Sequence, residues 1–326
     1  MNTIRLAATA AAVASLLTVA ACGSGVEAAR ASGETTTTVE NCGRTVGVDA
    51  PPQRVVTLSP SQTELLVELG VADALVGLGQ TDTSPLPPRI AAEVADVPVL
   101  STDTPPNREV LLDAAPDFVV SPTEYEFTAE QGFASIEQLG GAGAQVYVAA
   151  GGCAERRTSA SVEDLFTDID GLGAVFDRTE RAEELIAQSR ARLAAVDEQT
   201  SAGPQRTVAQ VYVEGNSLSV IGAGVEADIV ARAGGKNVFR PDEPMFSSFF
   251  AATVGPEELA ARDPEALVFA VSDDAQRDAT LDYLRTTFPD MRAVRDDRLV
   301  AVPGSDLFPG TLGNVTAVEA IAAGLR

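Results

Sequence analysis

The sequence predicts an α/β fold of two lobes joined by one long helix, with a cleft between the lobes. Three observations carry this. Short apolar runs alternate with helix-like patterns along both halves of the chain, which favours parallel sheets covered by helices. A helical segment long enough to run the height of a domain separates the halves. One unit occurs twice: Asn107-Arg108-Glu109-Val110-Leu111 runs through Ala115-Pro116-Asp117 into an apolar stretch, and Pro256-Glu257-Glu258-Leu259 runs through Asp263-Pro264-Glu265 into another.

Taken in order, residues 1–21 read as a secretory signal, with Arg5 before the apolar stretch Leu6–Ala20. Val19-Ala20-Ala21-Cys22 places small residues before a cysteine, the pattern of a lipobox, with Cys22 as the lipidated residue. The plainer alternative is an ordinary signal with a chance cysteine near its cleavage site. Residues 22–38 are small and polar and read as a flexible tether. The first lobe is expected over 39–176, with strands at Arg54–Leu58, Leu75–Gly79, Asp117–Ser121 and Gln145–Ala149 and helices at Thr63–Gly70, Asn107–Ala115 and Phe133–Gly141. The joining helix is assigned to 177–202, with Asp177-Arg178-Thr179-Glu180 as a capping box and apolar positions at Leu185, Ile186, Leu193 and Val196. The second lobe fills 203–326, with strands at Thr207–Val213, Ala266–Ser272 and Arg298–Gly304 and helices at Glu226–Gly235, Pro256–Asp263 and Val315–Leu325.

Composition excludes several classes of function. The net charge of −24 argues against a nucleic-acid partner, whose phosphates it repels. The chain has no histidine, the commonest general base and metal ligand, and no tryptophan. No nucleophile–base pair stands out, so an enzyme is not expected. With Cys22 taken by lipid, Cys42 and Cys153 remain. An even remainder in an exported chain suggests a disulfide, the alternative being two free thiols.

Four stretches together resemble one family: RVVTLSPSQTELLVELGVADALVGL, NREVLLDAAPDFVV, EADIVARAGGKNVF and VGPEELAARDPEALVF. In this order, and with a lipobox, they are similar to the iron-siderophore, cobalamin and haem class of ABC-transporter substrate-binding proteins. The general likeness is to actinobacterial ferric-citrate or siderophore receptor lipoproteins. The resemblance covers roughly residues 45–326. It implies two three-layer α/β lobes on a rigid inter-lobe helix. It also implies a monomer held to the outer face of the cell membrane by its lipid, delivering a ferric siderophore or other iron chelate to an ABC permease. Haem or cobalamin is the alternative ligand. A non-transport envelope protein binding a protein or glycan is the alternative of another class.

The resemblance implies roles for single residues. Glu64 and Glu257 match the two glutamates that relatives present to permease arginines. On its own terms, Ser61-Gln62-Thr63-Glu64 also reads as a capping box, with Glu64 in the first turn of its helix. Ligand contacts are expected from loops at strand C-termini: Ser59, Thr81, Thr123 and Tyr125 in the first lobe, and Tyr212, Arg240 and Phe246 in the second. Tyrosine offers a flat face and a phenol, and arginine a fork for chelate oxygens. The plain reading of each is turn chemistry or core packing. An iron held in its chelator needs no metal ligand from the protein, so neither a resident cofactor nor a protein metal site is expected.

Overall fold

The computed structural model describes residues 36–201, 203, 205–215 and 217–326. The signal, Cys22 and the first part of the tether lie outside the described residues. No helix among those described is long and apolar enough to cross a membrane. The described residues form one compact unit.

The chain enters through a hairpin, β1 (Thr37–Asn41) and β2 (Arg44–Val48), so regular structure starts inside the stretch read as tether. Cys42 and Gly43 turn it, both with positive φ (48° and 67°), the conformation tight hairpins require. Buried Asn41 fastens the hairpin to the first lobe. Its amide donates to Val148 O at 2.6 Å and accepts from Val148 N at 2.9 Å, extending the edge of the sheet.

The first lobe follows as β3 (Val55–Thr57), α1 (Pro60–Glu68), β4 (Leu75–Leu78), α2 (Pro88–Glu93), α3 (Arg108–Asp113), β5 (Phe118–Ser121), α4 (Ile136–Gly141) and β6 (Gln145–Val148). Its sheet is parallel, in the order β4-β3-β5-β6, on the strands expected from sequence. The helix bearing Glu64 starts upstream of the expected place. Pro60 takes the first helical position and Ser59 is the N-cap, so Glu64 falls in the second turn and cannot reach back. Ser61 Oγ instead donates to Gln62 Oε1 at 2.9 Å, and no Ser61–Glu64 capping box forms.

Helix α5 (Glu163–Val175), not expected from sequence, packs against α6 (Thr179–Thr200), the joining helix. Gly173 permits their close approach, because a Cβ there would stand 2.5 Å from that of Ala182. Asp177 is not the cap of α6. With φ at 54° it turns the chain out of α5, and α6 begins without a side-chain cap. At 1.5 Å per residue α6 is about 33 Å long. Arg181 Nε donates to Glu68 O of the first lobe at 2.8 Å, and Arg192 pairs with Glu319 of the second at 2.6 Å, so α6 is bonded to both.

The second lobe comprises β7 (Arg206–Glu214), β8 (Ser217–Ile221), α7 (Gly224–Arg232), β9 (Gly235–Asn237), β10 (Ala251–Thr253), α8 (Pro256–Arg262), β11 (Ala266–Val271), α9 (Asp274–Thr287), α10 (Arg292–Arg295), β12 (Leu299–Pro303) and α11 (Gly313–Gly324). Its mixed sheet runs β10-β8-β7-β11-β12, with β9 also on β7. Strands β8, β9 and β10 and helices α9 and α10 add to the expected elements.

The repeated unit is a structural equivalence. Ala115 and Asp263 both leave a helix with positive φ (47° and 41°), each before a proline. Two residues later a carboxylate latches the first strand of its lobe. Asp117 accepts from Gln53 N at 2.8 Å and Arg54 N at 2.9 Å, and Glu265 accepts from Thr207 N at 2.9 Å.

Candidate functional site

Both sheets end in loops that face one cavity of about 560 Å³. The first lobe contributes Thr83 after β4, Thr123 after β5, and Gly151, Gly152 and Arg157 after β6. The second contributes Tyr212 on β7, Ile221 on β8, Glu226 on α7, Phe249 and Phe250 before β10, and Leu307, Phe308 and Pro309 after β12. Crevices at the carboxyl ends of open α/β sheets are the usual place for a ligand.

The turn after β6 is built for close approach. A Cβ on Gly152 would lie 1.9 Å from Pro122 O, so only glycine fits against the loop carrying Thr123. Cys153 follows at once and is disulfide-bonded to Cys42, which ties this cleft segment to the entry hairpin. Thr123 is held from below, its hydroxyl donating to Glu126 Oε2 at 2.6 Å while Ser121 Oγ donates to the same oxygen at 3.1 Å. Burial raises the Glu126 carboxyl above the usual range, and the bonds from Thr123, Ser121 and Gln80 oppose the rise.

The lobes touch at the bottom of the cleft. Gly224 N donates to Thr158 O at 3.3 Å, Val162 N to Asp228 Oδ2 at 2.8 Å, and Arg232 pairs with Glu163 at 2.9 Å. The cleft surface is largely apolar and aromatic. Phe249 and Phe250 lie with centroids 4.4 Å apart and ring planes tilted by 34°, and Arg157 lies over the Phe249 ring at 5.5 Å. Arg157 and Glu226 are the two charged side chains among the described lining residues. Burial pushes the Glu226 carboxyl up to about 8.

Of the side chains expected to meet ligand, Thr123 and Tyr212 line the cavity, and Tyr212 is 37% exposed. The other five lie outside its lining. Ser59 is the buried N-cap of α1 and bonds Ser61 Oγ at 2.8 Å. Thr81 pairs its hydroxyl with neighbouring Asp82 at 3.3 Å. Tyr125 is half exposed, set edge-on to Phe133 at 5.7 Å. Arg240 faces solvent and pairs with Asp242 at 3.3 Å. Phe246 is a core residue, 1% exposed, lying edge-on to Phe239 and filling the slot left by the missing side chain of Gly222. Arg157, Glu226, Phe249 and Phe250 were not among the expected contacts. Their only sequence signal is nearness to a strand end, to Cys153 or to an aromatic cluster.

Glu64 lies on α1 of the first lobe and Glu257 on α8 of the second. Glu257 is exposed in the first turn of α8, its carboxylate folded back over Gly255. Glu64 is half-buried. Burial first, then the carboxylates of Asp306 and Glu68, push it up to about 7 against the opposing pull of Arg89.

The family model described as "Periplasmic binding protein" matches residues 55–305. A cobalamin-binding protein of Halobacterium salinarum is 29% identical over 245 residues, 73% of this chain and 59% of that relative. A periplasmic binding protein structure from Veillonella parvula superposes with a TM-score of 0.79 at 22% identity, over 89% of this chain and 98% of the other. The structure titled as an ABC-type Fe3+-hydroxamate transport system from Saccharomonospora viridis gives 0.72 at 25% identity, over 88% and 98%. The two lobes, the linking helix and the inter-lobe cleft thus meet a match over most of the chain, and the protein belongs to the periplasmic binding protein family.

Proposed function

We propose that this chain is the extracytoplasmic receptor of an ABC importer and that its cargo is a bulky ferric chelate of low net charge, of the hydroxamate kind. The observation that carries the reading is the cleft: aromatic and apolar walls from two lobes, with a single guanidinium, Arg157, over Phe249. Strongly anionic chelates such as ferric citrate call for several cations, and here they would approach a chain of net charge −24. A chelate whose iron charge is cancelled by its own oxygens needs mainly shape, apolar contact and a few polar anchors. Thr123, Tyr212 and Arg157 are those anchors. The likeness to the Fe3+-hydroxamate transport system structure from Saccharomonospora viridis supports the same class. Cobalamin is the second reading, favoured by the similarity to the cobalamin-binding protein of Halobacterium salinarum.

In this account Cys22 carries the lipid anchor, and Glu64 and Glu257 receive permease arginines, one on each lobe. Glu64, pushed up by burial, would be ionised by the guanidinium that pairs with it. The test is a Glu64→Ala/Glu257→Ala double variant expressed with its permease. Chelate affinity should stay within about twofold of wild type, which is about 0.4 kcal/mol, while uptake is lost. Uptake at the wild-type rate would refute the docking role.

A further inference from the structure

Glu226 is the one carboxylate among the described residues lining the cleft. It stands in the first turn of α7, which packs against β7. Its Oε2 accepts a hydrogen bond from Gln210 Nε2 of β7, no salt bridge reaches it, and Oε1 has no hydrogen-bond partner among the described residues. Gln210 is itself 1% exposed, and its Oε1 is buried without a partner. A buried amide is therefore committed to holding the carboxyl group, and this corner of the cleft has more acceptors than donors. Gln210 Oε1 is a buried acceptor left unpaired, and part-buried Glu226 leaves its Oε1 open to the cleft, where a donor from outside can reach it. Burial with no neighbouring cation is also what pushes Glu226 up to about 8.

We propose that Glu226, positioned by Gln210, is a subsite for a primary ammonium group carried by the cargo, so that the cleft favours amine-bearing chelates over the same chelates with the amine blocked. The proposal rests on the iron-chelate reading and adds the charge of the ligand to it. An ammonium brings three donors and the missing positive charge. The net charge of −24 draws a cationic ligand toward the protein and raises its encounter rate. Arg157 remains available for the chelate's oxygens, because no salt bridge ties it to Glu226. The competing account is purely structural. With the Gln210 amide turned over, a protonated Glu226 donates to Gln210 Oε1 and the pair has no ligand role.

The test uses ferric desferrioxamine B, a linear trihydroxamate with a terminal ammonium, and its N-acetylated form. Titration calorimetry on wild type and the near-isosteric E226Q variant, with cobalamin as a third ligand, gives the affinities. Melting temperature controls for folding. Wild type should bind the amine form at least about tenfold tighter than the acetylated form, and E226Q should bind both alike. Equal affinities in wild type, or a preference that survives in E226Q, overturn the subsite and leave the iron-chelate reading standing. Binding of neither chelate, whether or not cobalamin binds, overturns both.

Discussion

Replacing both bridge cysteines, Cys42→Ser with Cys153→Ser, removes the one covalent tie between the entry hairpin and the cleft segment. The two sulfurs are bonded across a sequence separation of 111 residues. In the chain-entropy model a loop of that length contributes about 5 kcal/mol at 25 °C, and measured bridges mostly fall at about 2–4 kcal/mol. The compact unit spans about 290 residues, and unfolding entropy near 60 °C is roughly 2.1 cal/mol/K per residue. Each kcal/mol therefore shifts the melting temperature by about 1.6 °C, and loss of the bridge by about 3–8 °C. Scanning calorimetry of the oxidised protein and the double variant measures this directly. The variant should also bind ligand more weakly, because Gly151, Gly152 and Arg157 flank the released Cys153. A melting temperature within about 1 °C of wild type would refute the entropic argument, and two titratable thiols in the oxidised, unfolded protein would refute the bridge itself.

Two further predictions concern the interior. Phe246→Ala empties the slot beside Gly222 and Phe239, so denaturant unfolding should show a loss of about 3–5 kcal/mol; ligand affinity of the folded variant should stay unchanged, and a lost affinity at wild-type stability would return Phe246 to the cleft. Asp168 is buried, accepts from Tyr147 Oη at 2.9 Å and Ala150 N at 2.8 Å, and leaves its other oxygen unpartnered. Burial pushes it up to about 8, so the native state keeps a proton that the unfolded chain releases near pH 4. The stabilisation is full below about pH 4 and is lost as pH rises toward about 8, by up to roughly 1.4 kcal/mol per pH unit. Asp168→Asn should flatten that slope in unfolding measurements across the range, and an unchanged slope would contradict the assignment.

The parts of the fold legible in sequence were those written in local pattern. The strands of the parallel sheet are short apolar runs, and the Ala115-Pro116-Asp117 and Asp263-Pro264-Glu265 corners carry their own turn chemistry. Patterns that depend on a distant partner were not legible. Helix α5 contains Gly171 and Gly173, which read as breakers, yet Gly173 is there to admit Ala182. Thr37 and Thr38, the start of the entry hairpin, continue the small polar run of the tether, and the hairpin's anchor is Asn41 on Val148, over a hundred residues away.

The site was less legible still, because it forms where two sheets meet and no local period marks it. Phe246, Phe249 and Phe250 lie within five residues of one another, and no local period separates them. Gly222, just past the end of β8, leaves the space that Phe246 fills, while Phe249 and Phe250 are left to the cleft. Arg157 and Glu226 carry no motif. They become a site only when Gly224 meets Thr158 across the lobes.

The most direct test of the central claim is equilibrium binding by the purified body, residues 36–326, against ferric hydroxamate, catecholate and carboxylate chelates, haem and cobalamin, followed by tyrosine fluorescence and visible absorbance. The account predicts that a ferric hydroxamate binds in the sub-micromolar range, better than about −8 kcal/mol, with the iron-free chelator much weaker and ferric citrate weaker still. Tightest binding of ferric citrate, or no binding of any iron chelate, would contradict it.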